Sequence, residues 1–313
     1  MEIILKNFLK KFKKNQVGPI SLKIYEKKIT AILGSSGSGK SVLINSIIGA
    51  TRNFKGDIFV KNTSRKKLDN YKVNKFIGFY TQIDFSLYKI NVVLFLKTIC
   101  LVYGIEKKEI NKKIEYWLNY FDLWVAKDKN VNEFSWGMKN RLNLILCFIK
   151  DAEIIIMDEP GANLDSYWRN RVKNLLVEYK NRGKTIIITV HNIDEISDII
   201  DEYVILENGK KVFEGSREEL NVFSKYKIYI KDKFDLDQFR NFLNNKNIKS
   251  FKFDEQENSL VISIDEYKQI NYLFLYLIKN NLPLVNLMKL PINMESIHNA
   301  LGIKVEIKSN EED

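Results

Sequence analysis

The segment Gly34-Ser35-Ser36-Gly37-Ser38-Gly39-Lys40-Ser41 fits the spacing G-x-x-x-x-G-K-[ST], a loop that cradles phosphate with backbone N–H groups. Lys40 is expected to neutralise the β- and γ-phosphates of a nucleotide, and the Ser41 hydroxyl to bind Mg²⁺. The next residue, Val42, is counted with the binding loop. The flanks are right for this chemistry. Lys28-Ile29-Thr30-Ala31-Ile32-Leu33 is apolar and β-branched and reads as a buried strand. Val42 to Gly49 reads as a helix that stops at a glycine. A helix beginning at the loop adds about half a positive charge where the phosphate would sit.

A second group of residues carries the rest of the chemistry. Ile154-Ile155-Ile156-Met157-Asp158-Glu159-Pro160 is an all-apolar run that ends in two carboxylates. Asp158 is expected to enter the Mg²⁺ shell, and Glu159 to polarise the attacking water, as phosphate hydrolysis requires. An Asp-Glu pair at a strand end is elsewhere a plain turn. Behind a phosphate loop and an apolar strand it reads as functional.

The elements that must position these groups alternate in type. Apolar runs at Ile154–Met157 and Thr185–Val190 have the continuous pattern of strands buried on both faces of a parallel sheet. Helical patterns lie between them, which makes an α/β architecture. Residues 87–149 are richer in helix. There Ile110, Ile114, Trp117, Leu118 and Phe121 form a stripe at helical spacing, read as core. Val204–Glu207, Asn208-Gly209 and Lys210–Phe213 form a hairpin with a type I′ signal. Ser216-Arg217-Glu218-Glu219 has the form of a capping box opening a short helix. Beyond Ser224 the pattern restarts as strands near 226–231, 248–253, 258–264 and 284–289, with helices at 235–245 and 266–280. That order, β-α-β-β-α-β, is a split βαβ unit. The domain expectation is residues 1–223 and 224–313.

Bulk properties exclude several classes. With only His191 and His298 in the chain, a histidine-rich metal site is excluded. Cys100 and Cys147 stand apart in apolar stretches, without a C-x-x-C partner, and read as reduced core thiols of a cytosolic protein. No run reaches the roughly 18 uncharged apolar residues of a membrane helix, and the N-terminus has no signal-peptide block. The net charge of +11 is spread over scattered lysines with Asp and Glu between them. It reads first as solvated surface and second as proximity to an anionic membrane.

Taken in order, these features resemble the ATP-binding cassette of ABC transporters. Phe12 is similar to the aromatic that stacks on adenine. Gln82 is similar to the glutamine that touches Mg²⁺ and senses the γ-phosphate. Phe134-Ser135-Trp136-Gly137-Met138 resembles the signature segment, Asn163-Leu164-Asp165 the D-loop, and His191 the switch histidine. The resemblance covers residues 1–222. It implies a P-loop NTPase of RecA-like α/β fold with a helical subdomain at about 87–149, followed by the small α+β unit. It implies ATP and Mg²⁺ as bound species, with Glu159, His191 and Gln82 catalytic, with Ser135 and Gly137 of the signature on the nucleotide of a second cassette, and with Asp165 among the nucleotide-binding residues. The implied partners are that second cassette, with a homodimer favoured over a heterodimer, and an integral membrane permease at the cytoplasmic face. No nucleic acid is expected.

Some positions depart from the family pattern. Trp136 stands where the signature usually has the first of two glycines. Met138 replaces the commonest Gln, and Leu94 a frequent Glu. The C-terminal stretch Pro291 to Gly302 resembles the ending of exporter-type drug-resistance ATPases, which makes an exporter the first reading. The rivals are a soluble cassette protein acting on nucleic acid or ribosomes, and a weakly catalytic regulatory cassette. Tandem cassettes or long coiled coils would mark the former, and neither is present. Glu159 and His191 argue against the latter.

Overall fold

A computed structural model describes the chain except residues 1–2, 14, 68–69, 162–163, 191–192, 194–195, 221–223, 232–233, 247, 249, 265–266, 291–293, 295–296, 299–300 and 303–313. Contacts divide it into two units, residues 1–191 with 198–216, and 192–197 with 217–313.

The first unit holds β1 (Ile3–Lys11), β2 (Gln16–Ile24), β3 (Ile29–Leu33), α1 (Lys40–Ile47), β4 (Lys55–Val60), β5 (Thr63–Ser64), β6 (Ile77–Tyr80), α2 (Val92–Val102), α3 (Lys107–Tyr120), α4 (Trp136–Phe148), β7 (Ile154–Asp158), α5 (Ser166–Asn181), β8 (Thr185–Thr189), β9 (Glu202–Glu207) and β10 (Lys210–Ser216). The main sheet runs β10-β9-β3-β8-β7-β6. Its inner strands pair in parallel. Every residue of β3 and β8 is buried, as the unbroken apolar runs require of strands covered on both faces. A second sheet, β2-β1-β4-β5, is antiparallel. Burial along β2 alternates, so one face packs and the other is wet. Ile3, Leu5 and Phe8 from this sheet share one core with Ile32, Ile44, Ile156 and Val204.

The expected stripe of α3 is buried throughout, from Ile110 to Phe121. Its aromatic members stack in series. The ring of Trp168 on α5 lies 5.8 Å from Phe121, and Trp117 lies 5.9 Å from both Phe121 and Phe148. Asn208 (φ 48°) and Gly209 (φ 76°) both take positive φ between β9 and β10, as a type I′ turn needs. Gly209 is irreplaceable there, since an added Cβ would fall 2.3 Å from the Gln16 carbonyl oxygen.

The second unit contains α6 (Arg217–Leu220), β11 (Ser224–Ile230), α7 (Leu236–Asn245), β12 (Ser250–Asp254), β13 (Ser259–Ile264), α8 (Tyr267–Lys279) and β14 (Leu284–Leu290). Its sheet, β12-β13-β11-β14, is antiparallel throughout. Ile228, Leu260 and Ile262 from the sheet pack with Phe239 and Leu243 of α7 and Leu273 and Leu277 of α8. This unit therefore has a core of its own.

Candidate functional site

The parallel pairing sends the C-terminal ends of β3, β6, β7, β8 and β9 to one edge of the main sheet. Open α/β sheets bind ligands outside that edge. Leu33 leads there into the glycine loop, and Asp158, Thr189, Tyr80 and Glu207 are the last residues of their strands.

The loop is shaped by its glycines. Gly39 caps α1 at φ 103°, and an added Cβ would meet the Val17 side chain at 2.8 Å. The antiparallel sheet is thus pressed against the loop by β2. Gly37 takes φ 76° with open space where a Cβ would be. Ser36, Gly37 and Ser41 are exposed, while Lys40 is buried. Lys40 Nζ donates to the carbonyls of Gly34 at 2.8 Å and Ser35 at 3.1 Å. Burial lowers the Lys40 pKa from its ordinary value, and the carboxylates of Glu159, Asp158 and Glu207 oppose that shift. The ammonium therefore lies within the field of all three. Ser35 Oγ donates to Glu207 Oε1 at 3.0 Å. Ser38 Oγ is buried and has no hydrogen-bond partner among the described residues.

The two carboxylates of the second motif are held by the neighbouring strand. Thr189 Oγ1 donates to Asp158 Oδ1 at 2.6 Å and accepts from the Glu159 backbone N–H at 2.9 Å. Glu159 itself sits at φ 52°. Sequence reasoning singled out neither Thr189 nor Glu207. Each is the polar end of an apolar strand, and only the register shows which residue lies beside it.

These residues fit a nucleotide with its metal. The loop offers an open crown, a buried cation and a buried hydroxyl without a partner. Ser41, Asp158 and Gln82 are oxygen donors, and Mg²⁺ takes one or two carboxylates together with substrate phosphates. The Thr189 bond uses one oxygen of Asp158 and leaves the other.

The remaining expected residues are placed as follows. Phe12 is about half exposed in the turn between β1 and β2, with Lys10 Nζ 5.6 Å from its ring centre. Gln82 is exposed, two residues beyond β6. The loop that carries it is tied to α4 at several points. The Tyr80 hydroxyl donates to Asn140 Oδ1, Asn143 Nδ2 to the Ile83 carbonyl at 3.4 Å, and Lys139 Nζ to Ser86 Oγ at 3.2 Å. Ser135 caps α4, accepting from the Met138 N–H at 3.3 Å. Gly137 has open space around it, and the Trp136 indole is 59% exposed. Asp165 caps α5, accepting from the Trp168 N–H at 2.9 Å. Both caps lie at helix starts. His191 and Asn163 lie outside the described residues.

Comparison with known proteins agrees with this geometry. The family profile described as ABC transporter matches residues 17–162. An uncharacterized ABC transporter ATP-binding protein of Methanocaldococcus jannaschii is 30% identical over 221 residues, covering 70% of this chain and 79% of that protein. ATP-binding cassette sub-family A member 10 of Homo sapiens is 33% identical over 194 residues. That match takes in 62% of this chain, which spans only 12% of the human protein's length. The ATP-binding subunit of an ABC transporter superposes with a TM-score of 0.66 at 20% identity, over 71% of this chain and 92% of that one. A dimeric ATP-binding cassette in a post-hydrolysis state, bound to ADP and Pi, gives 0.61 at 24% identity, over 68% and 98%.

Proposed function

The chain belongs to the ATP-binding cassette family of ABC transporters, and from that premise we propose that it binds MgATP and hydrolyses it to drive a separate membrane permease, in the direction of export. The observation that carries the proposal is the meeting of Lys40, Asp158 and Glu159 at one sheet edge, with the lysine in the field of both carboxylates. Loop residues 34–41, with Val42, hold the phosphates, and Lys40 offsets their charge. Phe12 offers its exposed ring to adenine. Asp158, Ser41 and Gln82 would hold Mg²⁺, which when bound draws charge from the transferring phosphoryl group. Glu159 takes a proton from the attacking water, and His191 holds that water in line.

A second cassette supplies the signature, with Ser135 and Gly137 at the open start of α4 and Asp165 at the start of α5. Helix starts suit an incoming γ-phosphate. Because closure of the pair needs that phosphate, hydrolysis reopens it, and the difference in nucleotide affinity between the two states does the work. The pair is a homodimer. Residues 1–223 form the cassette, with 87–149 as its helical subdomain, and residues 224–313 form an accessory unit.

The permease reading has support on the surface. Among the described residues no helix is long and apolar enough to cross a membrane. Ile83, Leu87 and Tyr88 beyond Gln82, with Leu94 and Leu101 on α2, are exposed large hydrophobics. The Phe85, Tyr88 and Phe95 rings pack against one another and hold that loop on α2. An exposed apolar patch of this kind marks an interaction site. The chain acts at the cytoplasmic face of the membrane. The export direction rests on resemblance to drug-resistance ATPases.

Steady-state ATPase and nucleotide binding test the reading. Lys40→Ala should lose MgATP binding. Glu159→Gln should bind MgATP and stop turnover, trapping a closed dimer. Parental hydrolysis by the Gln variant would remove Glu159 as the base.

A further inference from the structure

We propose that Thr189 is a positioning residue for ATP hydrolysis, whose single hydroxyl fixes both the Asp158 carboxylate and the Glu159 backbone. This rests on the reading of Asp158 and Glu159 given above. The parallel register sets Asp158 beside Thr189 as the last rung between β7 and β8. Beyond that rung the chain leaves the sheet, and the Glu159 N–H has lost its place in the ladder. The Thr189 hydroxyl takes over from the backbone.

A hydroxyl has one proton to give and two lone pairs to receive. Here the proton goes to Asp158 Oδ1 at 2.6 Å, and a lone pair receives the Glu159 N–H at 2.9 Å. Both bonds are short enough to fix direction as well as distance. Thr189 is 0% exposed. Water therefore cannot replace the hydroxyl without opening the sheet.

Glu159 is the residue most in need of such a hold. Its φ of 52° lies in the left-handed region, which side chains other than glycine, Asn and Asp seldom enter. The conformation determines where the Glu159 carboxylate points. Thr189 is assigned no contact with nucleotide or attacking water. It acts through its two neighbours, so its removal should slow the chemical step and leave the affinity for metal-free ATP alone.

The test uses the full chain with Thr189→Val, Thr189→Ser, Thr189→Cys and Glu159→Gln in parallel. Val keeps the shape of threonine and loses both bonds. Its kcat should fall about 10- to 100-fold, the scale of a small misplacement of a reacting group, a larger change than any rise in KM for MgATP. Affinity for ATP in EDTA should stay at the parental value. Ser, which restores the hydroxyl, should turn over at close to the parental rate, and Cys should fall between Ser and Val. The rise in Tm on adding Mg²⁺ to ATP-saturated protein should be smaller in Val than in Ser. Parental kcat in Val would overturn the proposal, as would equal losses in Ser and Val. If Val does not fold, parental kcat in Cys overturns it and a graded loss from Ser to Cys supports it. Parental hydrolysis in Glu159→Gln would instead overturn the site reading, and this proposal with it.

Discussion

At the sheet edge Glu159 bears a strain that a side chain normally avoids. Left-handed backbone costs an L-residue with a Cβ roughly 1–2 kcal/mol. Strain of this sort persists only where the surroundings over-determine it. Phe12 is the opposite case, an unconstrained residue. Its ring is about half exposed under Lys10, and its N–H donates to the Asn15 carbonyl at 2.8 Å. A half-exposed ring outside the core carries little of the fold, so its loss should affect folding little. Phe12→Ala should weaken ATP binding by about 1–3 kcal/mol, the usual worth of an aromatic stacked on a base, and leave tripolyphosphate binding unchanged. Equal losses for both ligands in a competition assay would remove the stacking role.

Single elements depend on contacts that no local pattern announces. The P-loop helix α1 ends under Arg65, whose Nε donates to the Ile47 carbonyl at 2.6 Å and whose Nη1 donates to Asn74 Oδ1 at 2.9 Å. A cation is favourable at a helix C-terminus. Burial nevertheless brings the guanidinium down from its ordinary value to about 10. Arg65→Met should cost about 1–3 kcal/mol for the buried Ile47 carbonyl it leaves unpaired, read as a lower midpoint in urea unfolding with the slope unchanged. In sequence Arg65 is followed by Lys66 and Lys67, and nothing there marks it for burial. The β3, β7 and β8 strands were legible because apolar runs bounded by motifs have few other solutions. The α3 stripe was legible from its period. Arg65, Thr189 and Glu207 were not, because each owes its role to a residue far along the chain. The Tyr80–Asn140 bond between β6 and α4 is of the same kind. Nothing in either segment's composition points to the other.

Among the described residues each unit has a core of its own, one joining both sheets of the first unit and one between the second unit's sheet and its helices. In the proposed pair, the helix starts of one copy complete the nucleotide site of the other. The exposed Trp136 stands at one of those helix starts, in the surface that the second copy would cover. Of the four tryptophans, Trp117 and Trp168 are buried at 7% and 5%, Trp124 is intermediate, and Trp136 is 59% exposed. The chain thus carries its own optical gauge of closure. Acrylamide added to the apo protein should quench mainly the red-edge emission of Trp136. With ATP bound to Glu159→Gln, where the pair stays shut, that component should become shielded and shift to the blue. Trp136→Phe should abolish the response, whereas a shift that survives the substitution would place the indole outside the covered surface.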